Sequence, residues 1–90
     1  MLKFEWDIAK AEANLLKHGI TFEEAATVFG DPLAITFDDP HNPAGENRLL
    51  TFGLTHKERL LLVVHTARGH KKRIISARKA TKQERKIYEY

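Results

Sequence analysis

Arg73, Arg78 and Lys79 surround the apolar residues Ile74, Ile75 and Ala77, a pattern that reads as a buried strand carrying cations and Ser76 to fixed positions. A guanidinium presents a planar fork of donors and keeps its charge at every accessible pH, so arginines on a rigid strand make a site for phosphate. Arg48, Arg59 and Arg73 begin three expected strands, and Arg78 closes the last. Antiparallel neighbours alternate direction, so strand ends from distant parts of the chain meet at one rim. Such a rim suits single-stranded RNA and also the negative charge that develops on a pentavalent phosphorus. RNA brings its own nucleophile, the 2′-hydroxyl, so its cleavage needs positioning, proton transfer and cationic stabilisation. The catalytic candidates are Arg48, His65, Arg73, Arg78 and Lys79, with Arg68, Lys72, Ser76, Lys82 and Tyr88 as RNA contacts.

Each candidate also has a structural reading. His65 lies in a dense apolar run and fits a hydrogen-bonded core histidine at least as well as a proton carrier. His18 suits a helix C-terminus, where a cation complements the dipole, and His41, His56 and His70 fall in turns. Glu46 could take a proton, but two residues from Arg48 it is better read as orienting that arginine. Arg59 and Arg85 are expected in surface ion pairs with Glu46, Glu58 or Glu84. Trp6 and Phe52 read as core, leaving Tyr88 as the aromatic open for stacking on a base. There is no cysteine and no HExxH-type spacing, so no metal and no cofactor is expected.

The elements that must position these groups follow from periodicity and caps. Lys3 to Trp6 suits a short edge strand. Asp7 is an N-cap for a helix over Ile8 to Lys17, ended by Gly19, with Ile8, Ala11 and Leu15 as its inner stripe. Thr21 and Glu24 form a capping box for a second helix through Phe29, whose inner face is Phe22, Ala25, Ala26 and Phe29. Gly30-Asp31-Pro32 stops it. Strands are expected over Leu33–Phe37, Arg48–Leu54, Leu60–Thr66 and Arg73–Arg78, with turns at 38–45, 55–58 and 68–72. Thr81 and Glu84 form a third capping box, opening a C-terminal helix from Lys82. The expectation is an α+β fold of order (β)ααββββα: a four-stranded antiparallel meander, a possible N-terminal edge strand, two helices before the sheet and one after it.

Charge is unevenly spread along the 90 residues. Residues 57–90 hold eleven Lys or Arg against three Glu, a net +8, and residues 1–56 hold four against nine, a net −5, which together give the overall +3. A basic half concentrates polyanions even where the total charge is modest, although a solvated basic face without a partner has the same signature. The length allows one domain over 1–90 with a small core. No run is long and apolar enough to span a membrane and no signal peptide opens the chain, so a cytoplasmic location is expected.

Phe4-Glu5-Trp6-Asp7, Lys17-His18-Gly19, Phe22-Glu23-Glu24-Ala25, Val28-Phe29, Arg48 with Gly53, and the run from Arg73 to Ala80 together resemble the BrnT family of toxins from type II toxin–antitoxin systems. The resemblance implies a RelE-like fold, ribonuclease activity that stops translation, and neutralisation by a BrnA-like ribbon-helix-helix antitoxin. It further implies contact with operator DNA only through the complex with that antitoxin, for which a heterotetramer is one available assembly. Carried over by position, the basic active surface is Arg48, Arg73, Arg78 and Lys79, and His65 stands where the family is expected to have Tyr or His. Thr66-Ala67-Arg68 departs from an expected Thr-Glu-Arg, which removes a carboxylate that would support Arg68. RelE-like enzymes lean on Lys and Arg, so the resemblance assigns no proton acceptor. A non-catalytic nucleic-acid-binding or antitoxin-binding module is the alternative.

Overall fold

The computed structural model describes residues 2–41 and 47–89, so Glu46 and the middle of the 38–45 turn lie outside the described residues. The elements are β1 (Lys3–Glu5), α1 (Ile8–His18), α2 (Phe22–Ala26) continued by a 3₁₀ turn (Thr27–Gly30), β2 (Ile35–Asp38), β3 (Arg48–Leu54), β4 (Leu60–Arg68), β5 (Lys71–Lys79) and α3 (Lys82–Glu89). Their caps act as the sequence suggests. Asp7 Oδ1 accepts the Lys10 N–H at 3.1 Å, and Gly19, at φ 70°, donates back to the Leu15 carbonyl to end α1. Thr81 and Glu84 make both bonds of a capping box, at 2.9 and 3.1 Å. At Thr21 only half the box forms, because the Glu24 carboxylate turns instead to Thr55 and Arg59.

The sheet has five strands in the order β1-β5-β4-β3-β2, not the four antiparallel strands expected. The β2–β5 meander is antiparallel throughout, while β1 lies parallel to β5, pairing Lys3, Phe4 and Glu5 with Lys71, Lys72 and Arg73. Phe4 fixes this edge: its ring packs 5.5 Å from that of Phe29 in the 3₁₀ turn. The sheet is therefore mixed, and its β4–β5 pairing carries one register irregularity. Val64 pairs with Ser76 but His65 pairs with Ile74, leaving Ile75 as an extra residue, a β-bulge.

One face of the sheet builds the core. Leu61, Val63, Ile74 and Ala77 meet Ile20, Phe22, Ala25 and Val28, all essentially inaccessible. Gly53 lets the 3₁₀ turn come close: a Cβ there would stand 2.7 Å from Val28 Cγ1. α1 departs from its expected inner stripe, since Ile8 and Leu15 are 72% and 47% exposed. The residue that docks α1 is polar. Asn14 is buried, donates to the carbonyls of Ile20 (3.1 Å) and Ala77 (2.8 Å), and accepts the Ala77 N–H (3.1 Å). It thus satisfies the outer edge of β5 beyond the point where β1 ends, where backbone groups would otherwise be buried unpaired.

Asn14→Leu keeps the volume but orphans three backbone groups. A loss of about 2–4 kcal/mol of unfolding free energy is expected, measured by urea denaturation.

Candidate active site

Strand register lines up the site. Glu5 pairs with Arg73, Arg73 with Thr66, and Thr66 with Arg48, so one rank crosses β1, β5, β4 and β3. Paired residues point to the same face, and the strand spacing puts the Arg48 and Arg73 Cα atoms about 10 Å apart. Arg68 stands two residues beyond Thr66 on β4, on that same face. This face is opposite the one that builds the core, because Phe4, Lys72, His65 and Ala67 occupy the alternate positions.

Here the sheet opens into a cleft of about 370 Å³ lined by Lys10, Asn47, Arg48, Thr66, Arg68, Arg73 and the bulged Ile75. Lys10 arrives from α1 and adds a fourth cation. Arg68 is 59% exposed, and its NH1 lies 4.0 Å from Glu5 Oε2. Arg73 NH1 donates to the same oxygen at 2.7 Å. Sequence reasoning did not single out Glu5, nor Lys10, Asn47 or Thr66. A carboxylate reaches Arg68 from β1 instead, that of Glu5, and only the β1–β5 pairing could have signalled it. A concave patch of guanidinium and ammonium groups with one carboxylate at its back can hold phosphates and stabilise added negative charge on one of them.

The expected gathering of Arg48, Arg73, Arg78 and Lys79 at one spot does not occur. The bulge brings Arg73 and Arg78 to the same face, but their partners Thr66 and Leu62 are four residues apart on β4, about 13 Å along the strand. Arg78 is gripped in a bidentate pair by Glu84, with NH1–Oε1 at 2.7 Å and NH2–Oε2 at 2.8 Å. Lys79 pairs with Leu61, on the alternate side of the strand, and lines a separate hollow with Arg59 and Arg85. The remaining expected RNA contacts disperse too. Lys72 sits with its ammonium 5.0 Å over the Phe29 ring, on the core face. Ser76 lines a hollow against α1, and Lys82 is exposed on α3. Tyr88, expected open, is half-buried with its hydroxyl donating to Asp31 Oδ2 at 2.5 Å. Burial and that bond push its phenol up to about 12.

His65 is 1% exposed, in the core rather than the cleft. Its Nε2 is 2.7 Å from Thr51 Oγ1, which in turn is 2.8 Å from Thr36 Oγ1, and the Phe29 ring stands edge-on 4.8 Å away. Burial, with Lys72 nearby, lowers its pKa to about 4, so it stays neutral. That removes it from proton transfer at the cleft. Arg59 forms its ion pair with Glu24 instead of the partners expected for it: Nε–Oε2 is 2.8 Å, NH2 holds Oε1, and Thr55 Oγ1 adds a bond at 2.8 Å. Among the described residues Arg85 forms no ion pair, and no three His, Asp or Glu side chains gather as metal ligands would. No helix among them is long and apolar enough to cross a membrane.

Residues 6–84 match the family model described as "Ribonuclease toxin, BrnT, of type II toxin-antitoxin system". The fold is similar to the 1.1 Å crystal structure of the Brucella abortus ribonuclease toxin BrnT, with a TM-score of 0.70 at 24% identity, covering 91% of this chain and 100% of that one. No curated protein matches the chain.

Glu24 and Glu84, outside the cleft, contribute to the acid limit of the fold. Arg59 above all holds Glu24 down at about 2, and Arg78 does the same for Glu84. A carboxylate depressed in the folded state stabilises above its unfolded pKa, and that contribution fades as pH falls through the native value. Stability measured by urea denaturation is therefore expected to be level only above about pH 7, to fall below that as the unfolded chain takes up the proton that buried His65 refuses until about pH 4, and to fall further from about pH 4.5 towards 2. Glu24→Gln is expected to cost about 2–3 kcal/mol at pH 7 and to flatten that slope.

Proposed function

The chain belongs to the BrnT family of ribonuclease toxins of type II toxin–antitoxin systems, and from that premise we propose that it is an endoribonuclease acting at the cleft of Arg48, Arg68 and Arg73. The observation that carries the reading is the rank of cations from adjacent strands around one open hollow. The fold it shares with the Brucella ribonuclease toxin adds support.

In this reading Arg48 and Arg73 straddle the scissile phosphate. The 2′-oxygen attacks phosphorus, the P–O5′ bond breaks, and the products end in a 2′,3′-cyclic phosphate and a 5′-hydroxyl. Guanidinium groups fixed before the substrate arrives stabilise the extra charge at phosphorus without having to reorganise. Arg68 and Lys10 bind neighbouring phosphates, and Thr66 and Asn47 offer neutral hydrogen bonds to sugar or base. The nucleophile belongs to RNA, so the chemistry runs without a metal. Arg78 and Lys79 lie outside this centre, and Arg78 serves to tie α3 to β5.

Cleavage of cellular RNA in the cytoplasm would halt translation, as expected of a RelE-like toxin. An antitoxin would silence it. A BrnA-like ribbon-helix-helix partner fits that role, joining the toxin in a heterotetramer that reaches operator DNA through the partner alone.

Purified protein incubated with single-stranded RNA in EDTA is expected to leave 2′,3′-cyclic phosphate ends, read by mass spectrometry of the products. Binding without cleavage would instead indicate a nucleic-acid-binding module. Arg48→Ala and Arg73→Ala are each expected to slow cleavage about 10²-fold or more. Arg78→Ala should stay within a few-fold of the unmodified rate, while lowering thermal stability. Abolition of cleavage by Arg78→Ala in a folded protein, with Arg73→Ala still active, would move the centre away from the cleft.

A further inference from the structure

Transfer of the 2′-hydroxyl proton needs an acceptor, and among the described residues the cleft lining offers no carboxylate or imidazole: Lys10, Asn47, Arg48, Thr66, Arg68 and Arg73 are cations or neutral groups. His65 is sealed on the far face, and no other histidine lines the cleft. On the reading that this cleft cuts RNA, we propose that Glu5 is the general base of the reaction. It stands in the catalytic rank itself, opposite Arg73 on the edge strand. Its Oε2 takes the Arg73 NH1 hydrogen bond at 2.7 Å, which leaves Oε1 without a hydrogen bond among the described residues. The carboxylate is 29% exposed, so a substrate can reach it.

One carboxylate then does two things. Oε2 orients Arg73 on the phosphate, and Oε1 receives the proton. The 2′-oxygen forms its bond to phosphorus as its O–H proton passes to Oε1, and the electron pair of the P–O5′ bond leaves on the 5′-oxygen. That oxygen takes a proton from water, which the open cleft admits. Glu5 returns its proton to solvent after release. The charged groups facing Glu5 are Arg73 from β5 and Arg68 from β4, with Lys10 of α1 and Arg48 of β3 on the same cleft.

The test measures kcat and KM on single-stranded RNA for wild-type protein, Glu5→Gln and Glu5→Ala, with thermal melts to check folding. Gln keeps an oxygen that can accept from Arg73, so it separates proton transfer from positioning. Glu5→Gln is expected to lose about 10²–10⁴-fold in kcat with KM little changed, and its residual rate to lose the acid limb of the pH profile. Wild-type kcat in Glu5→Gln, whether or not Glu5→Ala is impaired, overturns the proposal; impairment of Glu5→Ala alone leaves Glu5 a positioning residue. If Glu5→Gln does not fold, Glu5→Asp replaces it. Its carboxylate is drawn back by one methylene, and a fall of about tenfold or more in kcat at similar KM is expected; an unchanged kcat overturns the proposal. A wild-type protein that cuts no RNA overturns the ribonuclease reading and this proposal together, whereas active wild type with active Glu5→Gln overturns this proposal alone.

Discussion

Three guanidinium groups on neighbouring strands repel one another, and a sheet edge carries them together only with a counter-charge built in. Glu5 is such a counter-charge for two of them, bridging towards Arg68 and Arg73 from β1. Like charges opposite one another on a sheet destabilise it, and an opposite charge beside them reverses the sign. The short strand β1 therefore does more than lengthen the sheet. It lets a cationic rank exist in the folded protein before any phosphate arrives, which is the condition for electrostatic preorganisation.

The arginines of the chain divide by what holds them. Arg59 and Arg78 each face a carboxylate in bidentate geometry, with Glu24 and Glu84, and both pairs join a helix to the sheet. A guanidinium saturated in that way has few donors left for a ligand. Arg68 and Arg73 share a single oxygen of Glu5, so several of their donors still face the cleft. The same residue type is thus fastening in one place and ligand-facing in another, and the number of carboxylate oxygens it meets separates the two. Asp31 shows the same fastening logic with a different donor set. Partial burial opposes its ionisation, but bonds from the Leu54 N–H, the Tyr88 hydroxyl and the Leu33 N–H outweigh this and hold it below the usual carboxylate range. The helix α3 is secured at both ends by these anions.

Local pattern made much of this legible. The apolar runs located β3 to its end residues and β4 and β5 to within two, and the Asp7, Gly19 and Thr81–Glu84 signals marked helix ends correctly. What escaped was non-local. Asn14 sits on a polar-looking helix face, yet its amide matches a strand edge 63 residues away. Ile75 looks like any strand residue, but its bulge changes which side chains share a face with Arg73. Charge counting correctly marked the chain's second half as cationic, but it could not divide its cations between two ends of a sheet. Nor could it show that Arg73 meets an acid from residue 5, because pairings over such separations leave no periodicity in the sequence.

Glu5 and Arg73 are 68 residues apart, so the cationic rank is completed only where β1 meets β5. Such a long loop must close before its contact contributes anything. During synthesis, then, Glu5 lacks its hydrogen-bonded partner Arg73, and the hollow is incomplete until β5 has cleared the ribosome. A product that stops short of β5 has neither Arg73 nor the strand on which β1 docks, so it cannot assemble the rank.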